Sequence, residues 1–156
     1  MKQKKTIAIV AHDNRKQDLL EWVEFNAHKL SKHKIVCTGS TGRLVEERFR
    51  KCLNDDDFHD VRLRKLKSGP LGGDQQLGSL IVNGEIDLMI FFWDPMQPQP
   101  HDVDVKALLR ITVLYNIPTA SNRSTADFLI SSNLFNDEYH PRITDYSEYI
   151  NRNLDA

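Results

Sequence analysis

The chain has 156 residues, of which 40% are hydrophobic and 28% charged, with a formal net charge of -1 and a pI near 6.6. That length and balance fit one globular domain with a core of ordinary size, and the near-neutral charge gives no bulk attraction to nucleic acid or to an anionic membrane. Any anion the protein binds must be caught by local groups.

The first apolar run in "MKQKKTIAIVAHD" extends only from Ile7 to Ala11. It is too short for a signal-peptide core or a membrane span, so a cytoplasmic protein is expected. Cys37 and Cys52 stand far apart with no CxxC, which argues against a disulfide framework or a zinc knuckle.

Short β-branched runs predict strands at "TIAIVA" (6 to 11), "KIVCTG" (34 to 39), "VRLRKL" (61 to 66), "IDLMIFFW" (86 to 93) and "IPTAS" (117 to 121). Between them, Leu19, Leu20, Val23, Ala27 and Leu30 share one helical face, as do Leu108, Ile111, Thr112 and Tyr115. The segment "FRKCLNDDDFHD" (49 to 60) reads as a solvated loop, and a short amphipathic helix is expected near 144 to 154. Alternating strand and helix predicts one α/β domain, a mostly parallel five-stranded sheet with helices on both faces. "IDLMIFFW", apolar on both faces, belongs near its centre.

In such sheets ligands bind beyond the carboxyl ends of the strands. The first four strands run into "AHDNRK", "TGSTG", "SGPLGGDQQ" and "WDPMQPQPHDVD", all rich in polar residues, Gly or Pro, whereas the opposite turns are plain connectors. "TGSTG" at a strand-to-helix turn suits a phosphate group, though it also reads as a tight turn with an N-cap. "SGP" offers a second cradle, and Lys16 can add positive charge. There is neither a GxxxxGK[ST] nor a GxGxxG pattern, so a small phosphorylated ligand is favoured over a whole nucleotide.

Asp74, Asp94 and Asp104 each admit a capping role, but three carboxylates with His12 and His101 at one edge form a costly cluster unless a ligand engages them. Two chemistries fit. One is metal coordination by His12, His101 and a carboxylate; the other is proton abstraction beside a carbonyl, with an Asp as base and a neutral His donating to the developing oxyanion. With no HxH or HExxH, the metal-free chemistry is favoured.

"AHDNRK", "TGSTG", "SGPLGGDQQLG", "FFWDP" and "HDVDVKALLR", in this order and spacing, resemble the methylglyoxal synthase family along nearly the whole chain. The resemblance implies a Rossmann-like domain assembled as a homohexamer, converting dihydroxyacetone phosphate into methylglyoxal and inorganic phosphate without cofactor or metal. By position it implies that Asp74 is the catalytic base and that His12, His101, Asp94 and Asp104 are further polar groups of the active site. It likewise implies phosphate binding by Lys16, Thr38, Gly39, Ser40, Thr41, Ser68 and Gly69. It places Arg152 on the substrate phosphate of a neighbouring subunit, although on composition alone Arg152 reads as a solvated helix arginine. Inorganic phosphate is then both product and inhibitor.

Two features depart from the family pattern. Ser40 replaces the usual threonine of TGTTG but keeps its hydroxyl, while the segment 49 to 67 is longer and more charged than the pattern implies. A rival resemblance is to the regulatory domain of large carbamoyl phosphate synthetases, a sensor that needs the cradle but not Asp74 with His101. A metal-dependent aldolase acting on the same triose phosphate is a third alternative.

Overall fold

The protein is described by a computed structural model over residues 1–154. Thr6–Ala11 (β1), Lys34–Cys37 (β2), Arg62–Lys65 (β3), Leu88–Phe92 (β4) and Thr119–Ala120 (β5) form one sheet in the order β3-β2-β1-β4-β5. Every neighbouring pair is parallel. β1 has the predicted bounds and the other four strands occupy the predicted places with shorter ends, and the order reverses between β1 and β4.

The helices are Lys16–Phe25 (α1), Ala27–Leu30 (α2), Gly39–Cys52 (α3), Asp55–His59 (α4), Gly73–Val82 (α5), Asp102–Leu114 (α6), Arg123–Ser131 (α7) and Ser147–Ile150 (α8). Side-chain alternation along β1 sorts the core into two layers. Ile7, Ile9 and Ala11 pack with Trp22, Val45, Phe49 and Ile130 on the face of α1, α3 and α7. Ala8 and Val10 pack with Leu77, Ile81, Val105 and Leu108 on the face of α5 and α6. Each fully buried Leu, Ile, Val or Phe contributes about 1.5–3 kcal/mol. All five β4 residues are buried, as expected of an inner strand, whereas the edge strand β3 exposes Arg62 and Lys65.

Two expectations are corrected. Residues 49 to 60 are mainly helical, not a loop: α3 runs on to Cys52 because Val45 and Phe49, one turn apart, face the core, and α4 begins where the Asn54 side chain accepts from the Asp57 amide at 2.7 Å. The three aspartates Asp55 to Asp57 fill the first turn of α4, where the helix dipole favours them. The C-terminal helix is shorter than 144 to 154, covering only Ser147–Ile150 with no buried residue to anchor a longer one. Among the described residues no helix is long and apolar enough to cross a membrane.

Candidate active site

The turns after β1 to β4 converge on a cleft of about 230 Å³ at the carboxyl edge, beside the reversal in strand order. The turn after β1 brings His12, Asp13 and Lys16, and the turn after β2 brings Thr38, Gly39, Ser40 and Thr41. Ser68, Gly69 and Asp74 follow β3, and His101 follows β4. A larger cavity, about 1060 Å³, opens at the amino ends of the strands among Lys4, Lys34, Arg62 and Asp87, but no imidazole lines it. Convergent chemistry, not size, marks the smaller cleft as the candidate.

The second turn is an anion cradle. Thr38 is the N-cap of α3 without making a side-chain cap bond, so the amides of Ser40 and Thr41 lie in a first turn that intrahelical carbonyls cannot serve. The Gly39 amide is instead spent on the carbonyls of Leu66 and Lys67, at 3.0 and 3.1 Å. Gly39 has φ +26°, and a Cβ there would lie 2.6 Å from Ser68 Cα. Glycine thus lets the two cradle turns touch. Lys16 is ion-paired with Asp13, whose side chain is 92% exposed, so an arriving phosphate competes only with a solvated partner.

Asp74 lies in the first turn of α5, whose N-cap is Gly72, so it is not the cap. It is buried, and its Oδ2 has no hydrogen-bond partner. His101 Nε2 is 3.5 Å from that oxygen, and a Cβ on Gly69 would fall 2.8 Å from the same nitrogen. Burial raises the Asp74 pKa; His101 opposes this and Asp104 adds to it. The helix N-terminus favours the carboxylate, but desolvation wins. A carboxylate raised towards neutrality, with one free oxygen in a cleft, has the properties of a general base.

His12 is buried beside His101, with ring centroids 5.7 Å apart at 90°. Its Nδ1 accepts the Asp94 main-chain N–H at 3.1 Å, and its Nε2 is unpartnered. Burial, then His101, lowers its pKa, whereas Asp94, Asp102 and Asp13 oppose that shift. The ring is therefore neutral near pH 7 and carries its proton on Nε2.

Three expected residues do not line the cleft. Asp94 is buried just behind it, with Oδ1 accepting from the Met96 amide and Oδ2 from Asn14 Nδ2, both at 3.0 Å. These bonds hold its pKa down, Met96 contributing most. Asp104 is half-buried in the first turn of α6 and acts on Asp74 through charge. Arg152 lies beyond α8, exposed, with Nη1 donating to the Tyr149 carbonyl at 2.6 Å and its guanidinium 3.6 Å from the Tyr149 ring centroid.

Sequence reasoning missed three supporting residues. Gln99 lines the cleft, Gln76 Oε1 accepts the Lys67 amide at 2.8 Å, and Asn14 holds Asp94. Gln99, two residues before His101 in the same Pro-rich turn, was within reach of the strand-end rule; the other two need the folded geometry.

Residues 18–121 match the family model described as an MGS-like domain. The methylglyoxal synthase of Maridesulfovibrio salexigens is 57% identical over 157 residues, covering 99% of this chain and 100% of that protein. That of Coxiella burnetii strain RSA 493 is 53% identical over 148 residues, covering 95% of this chain and 96% of its own. The crystal structure of methylglyoxal synthase from Elizabethkingia anophelis NUHP1 superposes with a TM-score of 0.88 at 48% identity, covering 99% of this chain and 95% of that one. A cradle joined to a buried carboxylate and two imidazoles thus sits on a chain that aligns almost end to end with these enzymes, and the chain belongs to the methylglyoxal synthase family.

Proposed function

We propose that the protein eliminates inorganic phosphate from dihydroxyacetone phosphate, acting as a carbon-oxygen lyase without cofactor or metal. The observation that carries this reading is the pairing of unpartnered Asp74 Oδ2 with His101 Nε2 at 3.5 Å, directly against Gly69 of the cradle. Asp74 takes a proton from the hydroxyl-bearing carbon, and the carbonyl becomes an enediolate whose oxygens are met by His101 and His12. The electron pair then expels phosphate, and the resulting enol ketonises to methylglyoxal. Triosephosphate isomerase divides its work in the same way, between a carboxylate base and a neutral histidine.

Product choice follows from the phosphate's orientation. If the bridging C–O bond stands perpendicular to the enediolate plane, its electrons feed the breaking bond; if it lies in the plane, isomerisation competes. Thr38 to Thr41, Ser68 and Gly69, with Lys16, hold the group in the first arrangement and stabilise the charge that leaves. Asp94 acts on His12 and Asp104 on Asp74, without touching substrate. The reaction suits a cytoplasmic enzyme supplied by glycolysis.

One lysine balances a phosphate dianion incompletely, and a guanidinium can bind two of its oxygens. Arg152, exposed on its own chain, fills this need from a neighbouring subunit of a homohexamer, which also gives inhibitory phosphate a route to couple sites. Mixing Arg152→Ala with Asp74→Asn subunits tests this: activity above the sum of the two proteins is expected, and no rise after demonstrated exchange rejects it.

The central experiment incubates purified protein with dihydroxyacetone phosphate and EDTA, following methylglyoxal and phosphate separately. Equal release of both is expected. Phosphate binding without either product would instead favour the ligand-sensing module, and loss of activity only with chelator would favour a metal enzyme.

A further inference from the structure

His12 and Asp94 reverse the usual pairing of imidazole with carboxylate. A carboxylate facing Nδ1 normally accepts a hydrogen bond from Nδ1–H and leaves Nε2 as an acceptor and base. Here the group at Nδ1 is the Asp94 main-chain N–H, 3.1 Å away, so Nδ1 accepts and the proton of the neutral ring sits on Nε2. That nitrogen is buried, meets no partner and belongs to a residue lining the cleft. The Asp94 carboxylate is meanwhile occupied by the Met96 amide and the Asn14 carboxamide.

We propose that Asn14 is a positioning residue, which holds the Asp94 carboxylate off the neighbouring imidazole and so keeps His12 a neutral Nε2–H donor directed at the cleft. The use of that donor on an enediolate oxygen rests on the function proposed above; the tautomer does not. The groups facing His12 are the Phe91 and His101 rings and the carboxylates of Asp13, Asp94 and Asp102. Of the three carboxylates, Asp94 is bonded to the ring through its own backbone, and it is only 4% exposed. Without Asn14, Oδ2 loses its carboxamide donor, and only the Met96 and Gln97 amides and the charge of Arg15 still favour the carboxylate, in a setting that penalises incomplete pairing. The imidazole next to it can supply the missing donor. That exchange turns Nδ1 from the Asp94 amide to the Asp94 carboxylate, moves the ring proton to Nδ1 and stabilises the imidazolium.

The test is ¹⁵N NMR of His12, assigned by difference with His12→Gln, in the parent and in Asn14→Leu, whose apolar side chain keeps the size but offers the carboxylate no donor. The parent should carry its proton on Nε2. In Asn14→Leu the signals should move towards the Nδ1–H or doubly protonated ring, and the acid limb of the activity profile should move to higher pH. The turnover number should fall about tenfold while KM changes less than about twofold. Adding Asp94→Asn, which removes the competing charge, should return the His12 midpoint towards that of the parent. A parent ring protonated on Nδ1 overturns the proposal whatever the variants do, and so does a folded Asn14→Leu protein with an unchanged His12 titration. Because the spectra need no substrate, a parent that turns over no triose phosphate yet carries the Nε2 proton would reject the proposed function and leave the positioning role standing.

Discussion

Two histidines are buried by almost the same wiring at opposite edges of the sheet. His12 at the carboxyl edge and His33 at the amino edge each accept a main-chain N–H at Nδ1, from Asp94 at 3.1 Å and from Lys5 at 3.0 Å. Burial is the main cause lowering the pKa of both. What differs is the space beyond the ring. His33 meets the Phe135 ring edge-on at 4.8 Å, and the side chain of Asn136 favours its protonated form. The chain ends pack around this ring: Lys5 Nζ donates to the carbonyls of Lys2 and Asp137, and Met1 and Tyr139 exchange main-chain bonds. His12 instead borders a cleft that holds Asp74 and His101. A buried imidazole is thus made functional by the topology around it: the reversal between β1 and β4 opens a cleft beside His12, whereas the cavity at the amino edge does not reach His33.

The contrast between the edges is sharpest at Asp74. Asp74→Asn should lower the turnover number by about 10²–10⁴ while the protein stays folded. It should also melt at a higher temperature than the parent. The sign follows from the raised pKa: the native state resists ionisation, so the charge costs stability above the folded value and nothing below the ordinary 3.8. The gain in melting temperature should accordingly shrink as pH falls. A folded variant with near-normal turnover would move the base elsewhere and break the contrast.

Gly69→Ala attacks the same edge through geometry. Its new methyl would press on His101 Nε2 at 2.8 Å and on Asp74 Oδ2 at 3.3 Å. Turnover should drop about 10²-fold, since displacement of reacting groups is costly, with little change in melting. Steady-state assay and calorimetry on one preparation separate the two effects.

At the amino edge the expectation inverts. His33→Leu removes the acceptor of the buried Lys5 amide and should cost about 1–3 kcal/mol in denaturant unfolding, with turnover within about twofold of the parent. A large loss of turnover at full stability would make the amino edge part of the catalytic apparatus and end the distinction.

Acid gives the smallest effect. A histidine with a lowered native pKa takes up its proton more readily when unfolded, so stability is fully present above the ordinary 6.5 and declines as pH falls below it towards the native value. Each of His12 and His33 adds at most about 1.4 kcal/mol per pH unit in that window. His33→Leu should flatten the acid slope; an unchanged slope would mean that the packed surroundings of His33 already admit the proton.

The strands and the clustering of chemistry at one edge were legible because β-branched runs and parallel topology act locally and by rule. Helix continuation through Phe49 was not, since charged residues surround it and only its contact with the core reveals the pattern. Asp74 could be singled out, but not its free oxygen. For Asp94 the sequence gives an acid beside a strand end, whereas its effect on His12 runs through a main-chain amide, which no residue letter encodes. Asn14 matters only because the fold sets it against Asp94, eighty positions away along the chain.

The contact between Gly39 and Ser68 has a thermal consequence. It joins the cradle on α3 to the end of β3, a short edge strand with three of its four residues exposed, and edge strands are where local opening begins. Warming should therefore loosen the grip on phosphate before the fold as a whole gives way. The enzyme's error should then serve as a thermometer: the share of enediolate escaping as glyceraldehyde 3-phosphate is expected to rise with temperature while the circular dichroism of the protein is still that of the native state.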